Sequence, residues 1–112
     1  DLGNSRIQKW ASGATSGTTV AGGNGMGYGS GQFNALQGVF VDASGNIYVA
    51  DSPNNRIQKW APGATTGTTV AGGNGLGSAA NQFSYPTGLF VDASGNIYVA
   101  DSYNHRIQKW AN

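Results

Sequence analysis

The chain contains no cysteine and no glutamate, and charged residues make up only 10% of its 112 positions. The absence of cysteine excludes disulfide bonds and thiol chemistry. The absence of glutamate excludes an EF-hand calcium loop, whose last position needs a bidentate Glu. No apolar run approaches the roughly 20 residues of a membrane-spanning helix, so we expect no membrane partner.

Net charge is also small, because six Lys and Arg residues stand against five Asp residues and leave +1. Proteins that bind nucleic acid usually carry a clear positive excess that neutralises phosphates. We therefore rank nucleic acid low among the candidate partners. Apolar residues reach 38% and glycine occurs 19 times, a composition typical of short strands joined by tight turns.

The dominant feature of the sequence is a tandem repeat with a period of 50 residues. Residues 1–50 match residues 51–100 at 35 of 50 positions, and residues 101–112 begin a third copy. Such identity indicates recent duplication or deliberate construction from one unit. We treat 1–112 as a single domain made of two repeats and a partial third.

Each repeat is predicted to form four short antiparallel strands. Ser94-Gly95 lies between two β-branched runs and is a favourable hairpin turn, because glycine accepts positive φ. No stretch has the 3.6-residue apolar period of a helix, so the predicted fold class is all-β. The predicted strands are 88–93, 96–101 and 106–111 as first to third, with the fourth at 17–21 and 67–71.

Both faces of the predicted strands are apolar. Ile97 and Val99 point to one side of their strand, whereas Tyr98 and Ala100 point to the other. A sheet of this kind needs cover on both sides. Small sheets stacked face to face supply that cover, so we predict β-propeller blades of four antiparallel strands.

The string PTGLFVDASGNIYVADSYNHRIQKW at 86–110 resembles the NHL repeat, a family named for its Asn-His-Leu signature. Asn104-His105-Arg106-Ile107 is the local match, whereas Asn54-Asn55 and Asn4-Ser5 lack the histidine. The resemblance covers nearly the whole chain. It implies four-stranded blades, usually six to a ring, and family functions in binding protein, RNA or small ligands.

Two blades cannot close a ring, so we expect completion by oligomerisation. Two blades would leave wide apolar faces and open strand edges, which cyclic self-assembly covers. Three chains give six blades and four give eight, and the family's usual count favours the homotrimer over the homotetramer. The last blade lacks a fourth strand, which 17–21 of a neighbour could supply by strand exchange.

The string RIQKW occurs at 6–10, 56–60 and 106–110, so the two terminal copies would compete for one third-strand position in the shared blade. The C-terminal copy has the shorter connection to its own second strand and loses less loop entropy. The sequence leaves the outcome of this competition open.

The acidic residues fall at repeat-equivalent turns, where Asx-type bonding explains them without a ligand. Catalytic acids are rarely repeated identically in every blade, so we predict no catalytic residue and a protein that is not an enzyme. The residues assigned to turns, capping and ion pairs are Asp42, Asp51, Asp92 and Asp101, with Arg56 and Arg106 as partners.

His105 is the only histidine of the chain. One histidine cannot form a histidine-rich zinc site within a chain, so we predict no metal site and no cofactor. One alternative stays open, in which the propeller binds a ligand or a metal ion in its central channel and has an enzymatic function there.

The aromatic residues divide into two groups. Trp10, Trp60 and Trp110 end the RIQKW strings and are assigned to packing between blades, although stacking of Arg and Trp on single-stranded RNA is a second alternative. Tyr85 and Tyr103 differ between repeats, which favours contact with a protein or a small ligand. The residues assigned to that ligand surface are Tyr85, Pro86, Tyr103 and His105.

Overall fold

The structure is a computed structural model, and it describes residues 6–9, 13, 15–23, 29, 32, 38–75, 77–79 and 81–111. These residues form three antiparallel sheets. The first sheet contains β1 (Arg6–Lys9) and β2 (Thr18–Gly22). The second contains β3 (Gly38–Val41), β4 (Ile47–Asp51), β5 (Arg56–Trp60) and β6 (Thr68–Gly72). The third contains β7 (Pro86–Val91), β8 (Ile97–Asp101) and β9 (Arg106–Trp110). The predicted all-β class is confirmed.

The strands lie within two residues of their predicted bounds. β7 begins at Pro86, two residues before the predicted start. It ends at Val91, two residues before the predicted end, because the hairpin turn already begins at Asp92. That carboxylate accepts backbone N–H bonds from Ser94 at 3.0 Å and Asn96 at 2.9 Å, which fold the chain back. β2 and β6 are each shifted by one residue toward the C-terminus.

Strand register in the second sheet sets the composition of its two faces. Ile47 pairs with Trp60 and Val49 with Gln58, so these side chains share one face. Tyr48 pairs with Lys59 and Ala50 with Ile57 on the other face. All five residues of β4 are buried, as predicted for a strand covered on both sides.

Two hydrophobic clusters lie on either side of the second sheet. One cluster joins its Ile47, Val49 and Trp60 to Ala21 of the first sheet. The other joins its second face to the third sheet, and its buried members are Tyr48, Ala50, Ile57, Ala71, Phe83, Val91, Ile97 and Val99. The three sheets are therefore stacked face to face.

In the part of the chain that the structure describes, no helix has the length and apolar character needed to cross a membrane. The helical segments there are two 3-10 turns, Ser52–Asn54 and Ser102–Asn104, each linking the second strand of a sheet to the third.

Candidate functional site

One end of the sheets carries several residues that differ between repeats, and we call it the loop face. It consists of segment 84–87, which runs into β7, together with turns 52–55 and 102–105. Pairing of Pro86 with Asp101 brings the segment beside the second turn. The hydroxyls of Thr87 and Ser102 lie 2.6 Å apart, which joins the two segments by a hydrogen bond.

Tyr85 and Tyr103 form a stacked pair on the loop face. Their ring centroids are 4.8 Å apart and their planes differ by 24°. The two residues remain 39% and 68% exposed, so the pair presents an aromatic surface to solvent. Offset stacking of this kind stabilises the rings against each other by about 1 kcal/mol.

Backbone contacts hold both tyrosines in place. Tyr85 has φ +55°, a left-handed conformation that non-glycine residues seldom adopt. Its N–H donates to the side-chain oxygen of Asn55 at 3.0 Å, across to the second sheet. The Tyr103 N–H donates to the Ser84 carbonyl at 3.2 Å. Such a conformation persists only where its surroundings fix it, so the pair is preorganised.

Pro86 and His105, the other two residues predicted to contact a ligand, differ in their exposure to solvent. Pro86 is fully buried, so its assignment to ligand contact is wrong. It lies under the surface because it starts β7 and pairs with Asp101. His105 is exposed, has φ +54°, and donates its N–H to the Ser102 carbonyl at 3.2 Å. Asn55 has the same conformation in the first repeat, with φ +53°.

Asp101 is the centre of a bonded network below the tyrosines. Its carboxylate accepts from the Ser84 N–H at 2.6 Å, from Asn104 at 2.9 Å and from Arg106 Nε at 2.8 Å. Burial alone would raise the pKa of Asp101, but these bonds outweigh burial and hold the pKa below its usual value. The carboxylate is therefore an ionised structural group.

Arg106 extends this network to the loop before β7. Its guanidinium nitrogens donate to the carbonyls of Ser78, Ala79 and Gln82 at 2.9–3.0 Å. The first repeat has the same arrangement, with Asp51 and Arg56 at 2.9 Å and the carbonyls of Gly29 and Gln32 as acceptors. Each arginine thus fixes the chain segment that precedes its own sheet.

The predicted capping role of Asp51 and Asp101 needs a correction. Each precedes a 3-10 turn, but neither side chain forms a capping bond with the backbone of that turn. The carboxylates instead accept from the side chains of Asn54 at 2.7 Å and Asn104 at 2.9 Å. Each carboxylate thus binds the side-chain amide at the third position of its turn and the arginine two residues later.

Asp42 and Asp92 lie at the opposite end of the sheets, in the hairpins between first and second strands. Hydrogen bonding from the Asn46 side chain lowers the pKa of Asp42, and Asn96 does the same for Asp92. Backbone N–H groups of the turn add to the effect. Both carboxylates thus organise their own turns.

The described part of the chain contains no group of three or more His, Cys, Asp or Glu side chains that could hold a metal ion. Two lysines of the sheets lie beside aromatic rings. Lys59 and Lys109 place their ammonium groups 5.7 and 5.8 Å from the ring centroids of Tyr48 and Tyr98. The loop face itself presents aromatic rings, hydroxyls and one histidine. The nearby arginines are bonded to backbone carbonyls.

Two tryptophans lie between the sheets. Trp60 is buried in the cluster with Ile47 and Val49, and Trp110 packs 5.5 Å from Phe83. Trp10 lies outside the described residues. Sequence reasoning missed Phe83, which is fully buried, and Asn55, which positions Tyr85. The recurrence of Gln-Phe at 32–33 and 82–83 was the available signal for Phe83.

Known proteins share both the repeat sequence and the fold described above. The sequence profile of the NHL repeat matches residues 33–60 and 83–110, together half of the chain. No curated protein matches the sequence.

Among solved structures, the chain is similar to a Bacteroides thetaiotaomicron protein of unknown function, with a TM-score of 0.78 and 22% identity over 99% of this chain and 31% of that one. It is also similar to an auxiliary nutrient binding protein from that organism, with a TM-score of 0.70 and 21% identity over 96% of this chain and 32% of that one. The chain spans about a third of the length of these proteins, and the likeness shows a shared fold.

Proposed function

The chain belongs to the NHL-repeat family, and we propose that it is a non-enzymatic binding module that assembles from identical chains into a closed propeller ring. The single observation that carries this proposal is a pair of uncovered apolar sheet faces. On each face, the exposed apolar residues have repeat equivalents that are packed against a neighbouring sheet.

The first uncovered face belongs to the third sheet. Ile107 is 69% exposed, whereas its repeat equivalent Ile57 is fully buried against the third sheet. Phe90 is 55% exposed although its ring lies 5.3 Å from that of Phe40, whereas Phe40 also packs against the cluster between the second and third sheets. This face therefore has the residues of a blade contact without the neighbouring blade.

The second uncovered face lies on the second sheet, toward β1 and β2. Val41 is 57% exposed, whereas its equivalent Val91 is 5% exposed within the core between sheets two and three. Beside Val41 lies a cavity of about 490 Å³, also lined by Ile7, Val20 and Ile47. The first sheet has only β1 and β2 among the described residues, so this cavity lies where a blade's first two strands would pack.

These two faces are the two halves of one contact. Within the chain, the face of the second sheet with Tyr48 already packs on the face of the third sheet with Val91. The first two strands of both sheets pair in equivalent register. A second copy of the chain that places its third sheet on the Val41 face would repeat that contact, with Phe90 and Tyr98 in the positions of Phe40 and Tyr48. Burial of each large apolar side chain contributes about 1.5–3 kcal/mol.

Six blades are the expected count for the ring, since this number is usual for the family that the repeat resembles. With two blades from each chain, three chains close the ring. The non-enzymatic role is supported by the described carboxylates, each of which is engaged by its own turn or arginine.

We propose the tyrosine pair on the loop face as the ligand surface of this module. The pair is exposed, preorganised and flanked by the hydroxyls of Thr87 and Ser102. The first repeat has Ala35 and Pro53 at the equivalent positions, and its 3-10 turn Ser52–Asn54 forms without a tyrosine. Rings and hydroxyls together suit a neutral ligand with a flat apolar face and a polar rim, such as a sugar ring.

Mass measurement of the intact chain tests the assembly. Three chains of 11.5 kDa give about 34.5 kDa, and four give about 46 kDa. Ile107→Asp and Val41→Asp place a charge on the two uncovered faces, and each should lower the mass to that of one chain. Thr66→Asp adds the same charge at an exposed position of the turn between β5 and β6 and should leave the mass unchanged. A folded wild-type chain that remains a monomer at all concentrations would contradict the proposal.

A further inference from the structure

We infer that the ring closes by strand exchange in one defined pairing, in which β9 of one copy takes the place of β1 and pairs with β2 of the next copy. This inference rests on the proposed assembly and identifies the contact that forms it. It also decides which terminal RIQKW copy holds the third-strand position of the shared blade.

The register of this pairing follows from the complete sheet. β5 pairs with β6 through Ile57 and Ala71 and through Gln58 and Thr69. β1 pairs with β2 in the equivalent register, Ile7 with Ala21 and Gln8 with Thr19. β9 has the same sequence as β5 and β1, so Ile107 would face Ala21 and Gln108 would face Thr19 of the next copy.

If β9 of another copy replaced β1, the side-chain contacts of β2 would be preserved. Residues 106–110 repeat residues 6–10, so β9 offers β2 the same side chains that β1 offers. In the complete sheet the Thr69 hydroxyl donates to Gln58 Oε1 at 2.6 Å, and Thr19 and Gln108 are the equivalent pair. Replacing one strand by an identical one leaves that part of the free energy nearly unchanged.

Exchange adds contacts that β1 cannot provide. β9 is joined to β7 and β8, whose Phe90 and Tyr98 would then lie against the cavity beside Val41. β1 has no such strands beside it among the described residues. The added burial favours β9 over β1 at this position.

Arg106 holds β9 in the third sheet of its own chain, so that β2 of the next copy would add to that sheet. The guanidinium binds Asp101 on β8 and the carbonyls of residues 78, 79 and 82 before β7, so β9 is fixed to both neighbouring segments. Its remaining edge has no strand partner in the described structure. A strand at the edge of a sheet can pair with a further strand.

Engineered disulfides test the pairing, and the chain has no cysteine of its own. Opposing residues of antiparallel strands have Cα atoms about 4.5–5.5 Å apart, within the range that a disulfide spans. Thr19→Cys with Gln108→Cys should form disulfides between chains, whereas Thr19→Cys with Gln8→Cys should form few within a chain. Thr69→Cys with Gln58→Cys calibrates the method, since that pair is within one sheet.

Trypsin provides a second test on the unmodified chain. Lys9, Lys59 and Lys109 stand in the same local sequence, IQKW, so the protease meets the same residues at each. Displaced β1 should be cut after Lys9 about tenfold faster than β5 or β9 after their lysines, because local exposure governs cleavage.

The outcomes separate the two proposals. In the Thr19→Cys, Gln108→Cys variant, disulfides that join position 19 of one chain to position 108 of another support the exchange, as does fast wild-type cleavage after Lys9. A ring in which the Thr19→Cys, Gln8→Cys variant closes its disulfide within each chain, and in which Lys9 resists cleavage, overturns the exchange and leaves the assembly intact. A wild-type mass of one chain overturns both.

Discussion

Arg56 and Arg106 form the same ion pair in successive repeats, with Nε 2.9 Å from Asp51 and 2.8 Å from Asp101. The Arg56 side chain is 11% exposed and that of Arg106 is 29% exposed, whereas both carboxylates are fully buried. Each pair links the second strand of its sheet to the third and to the segment before the first. The pair thus adds side-chain bonds between three segments that the backbone ladders do not all join.

Removal of either arginine should destabilise the chain. Arg56→Ala leaves Asp51 buried without its cation, and such a loss costs about 3–5 kcal/mol. Arg106→Ala should cost less, because solvent reaches this site more readily. Urea unfolding at one fixed protein concentration measures both. A cost below about 1 kcal/mol for Arg56→Ala would show that the pair is dispensable.

Acid should destabilise the fold through Asp101. Its pKa in the folded chain lies below the ordinary value of 3.8, so the unfolded chain binds a proton first as the pH falls. The stabilisation is present well above pH 3.8 and is lost as the pH falls through the folded pKa. Asp101→Asn should therefore flatten the fall of unfolding free energy between about pH 5 and pH 3. An unchanged slope would assign the acid sensitivity to other groups.

Gly72 should be intolerant of a side chain. It has φ +71°, and a Cβ atom would lie 2.5 Å from the Asn55 carbonyl oxygen and 2.6 Å from the Phe83 ring. Gly72→Ala should therefore cost about 3 kcal/mol or more. Gly63→Ala is the matched control, because φ is +75° there and no atom lies within 4 Å of the added carbon. The control should cost only about 1 kcal/mol in the same thermal or urea unfolding measurement.

The tyrosine pair should be dispensable for folding and required for binding. Tyr85→Ala with Tyr103→Pro introduces the residues of the first repeat, so the free energy of unfolding should fall only by the lost ring stacking and the lost bond from the Tyr103 N–H to the Ser84 carbonyl, each about 1 kcal/mol. Titration calorimetry with cellohexaose and maltohexaose should detect binding to the wild type and none to the double variant. Equal binding by both proteins would place the ligand elsewhere, and salt-dependent binding of an oligouridylate would favour RNA instead.

Most of the architecture could be predicted from the sequence, because the repeat shows each local pattern more than once. The strands around Ile97 and Arg106 follow from alternation and turn residues, and the resemblance to the NHL repeat is confirmed by the family match. The ends of strands were harder, because Asp92 closes its turn by bonds to the backbone that alternation does not reveal.

The candidate site was only partly predictable. Variation between repeats pointed to Tyr85 and Tyr103, and the structure stacks them. The same reasoning selected Pro86, which is buried, because variation does not distinguish an exposed side chain from one under the surface. The link from Asn55 to Tyr85 crosses between two sheets, so no local pattern of the sequence contains it.

The contact between the second and third sheets has a consequence for the growth of this protein. One side of a blade fits the other side of an identical blade, so the strands need no adjustment when a further copy of the 50-residue unit is inserted. Duplication of the unit can therefore lengthen the array through this same contact, without demanding any new recognition surface.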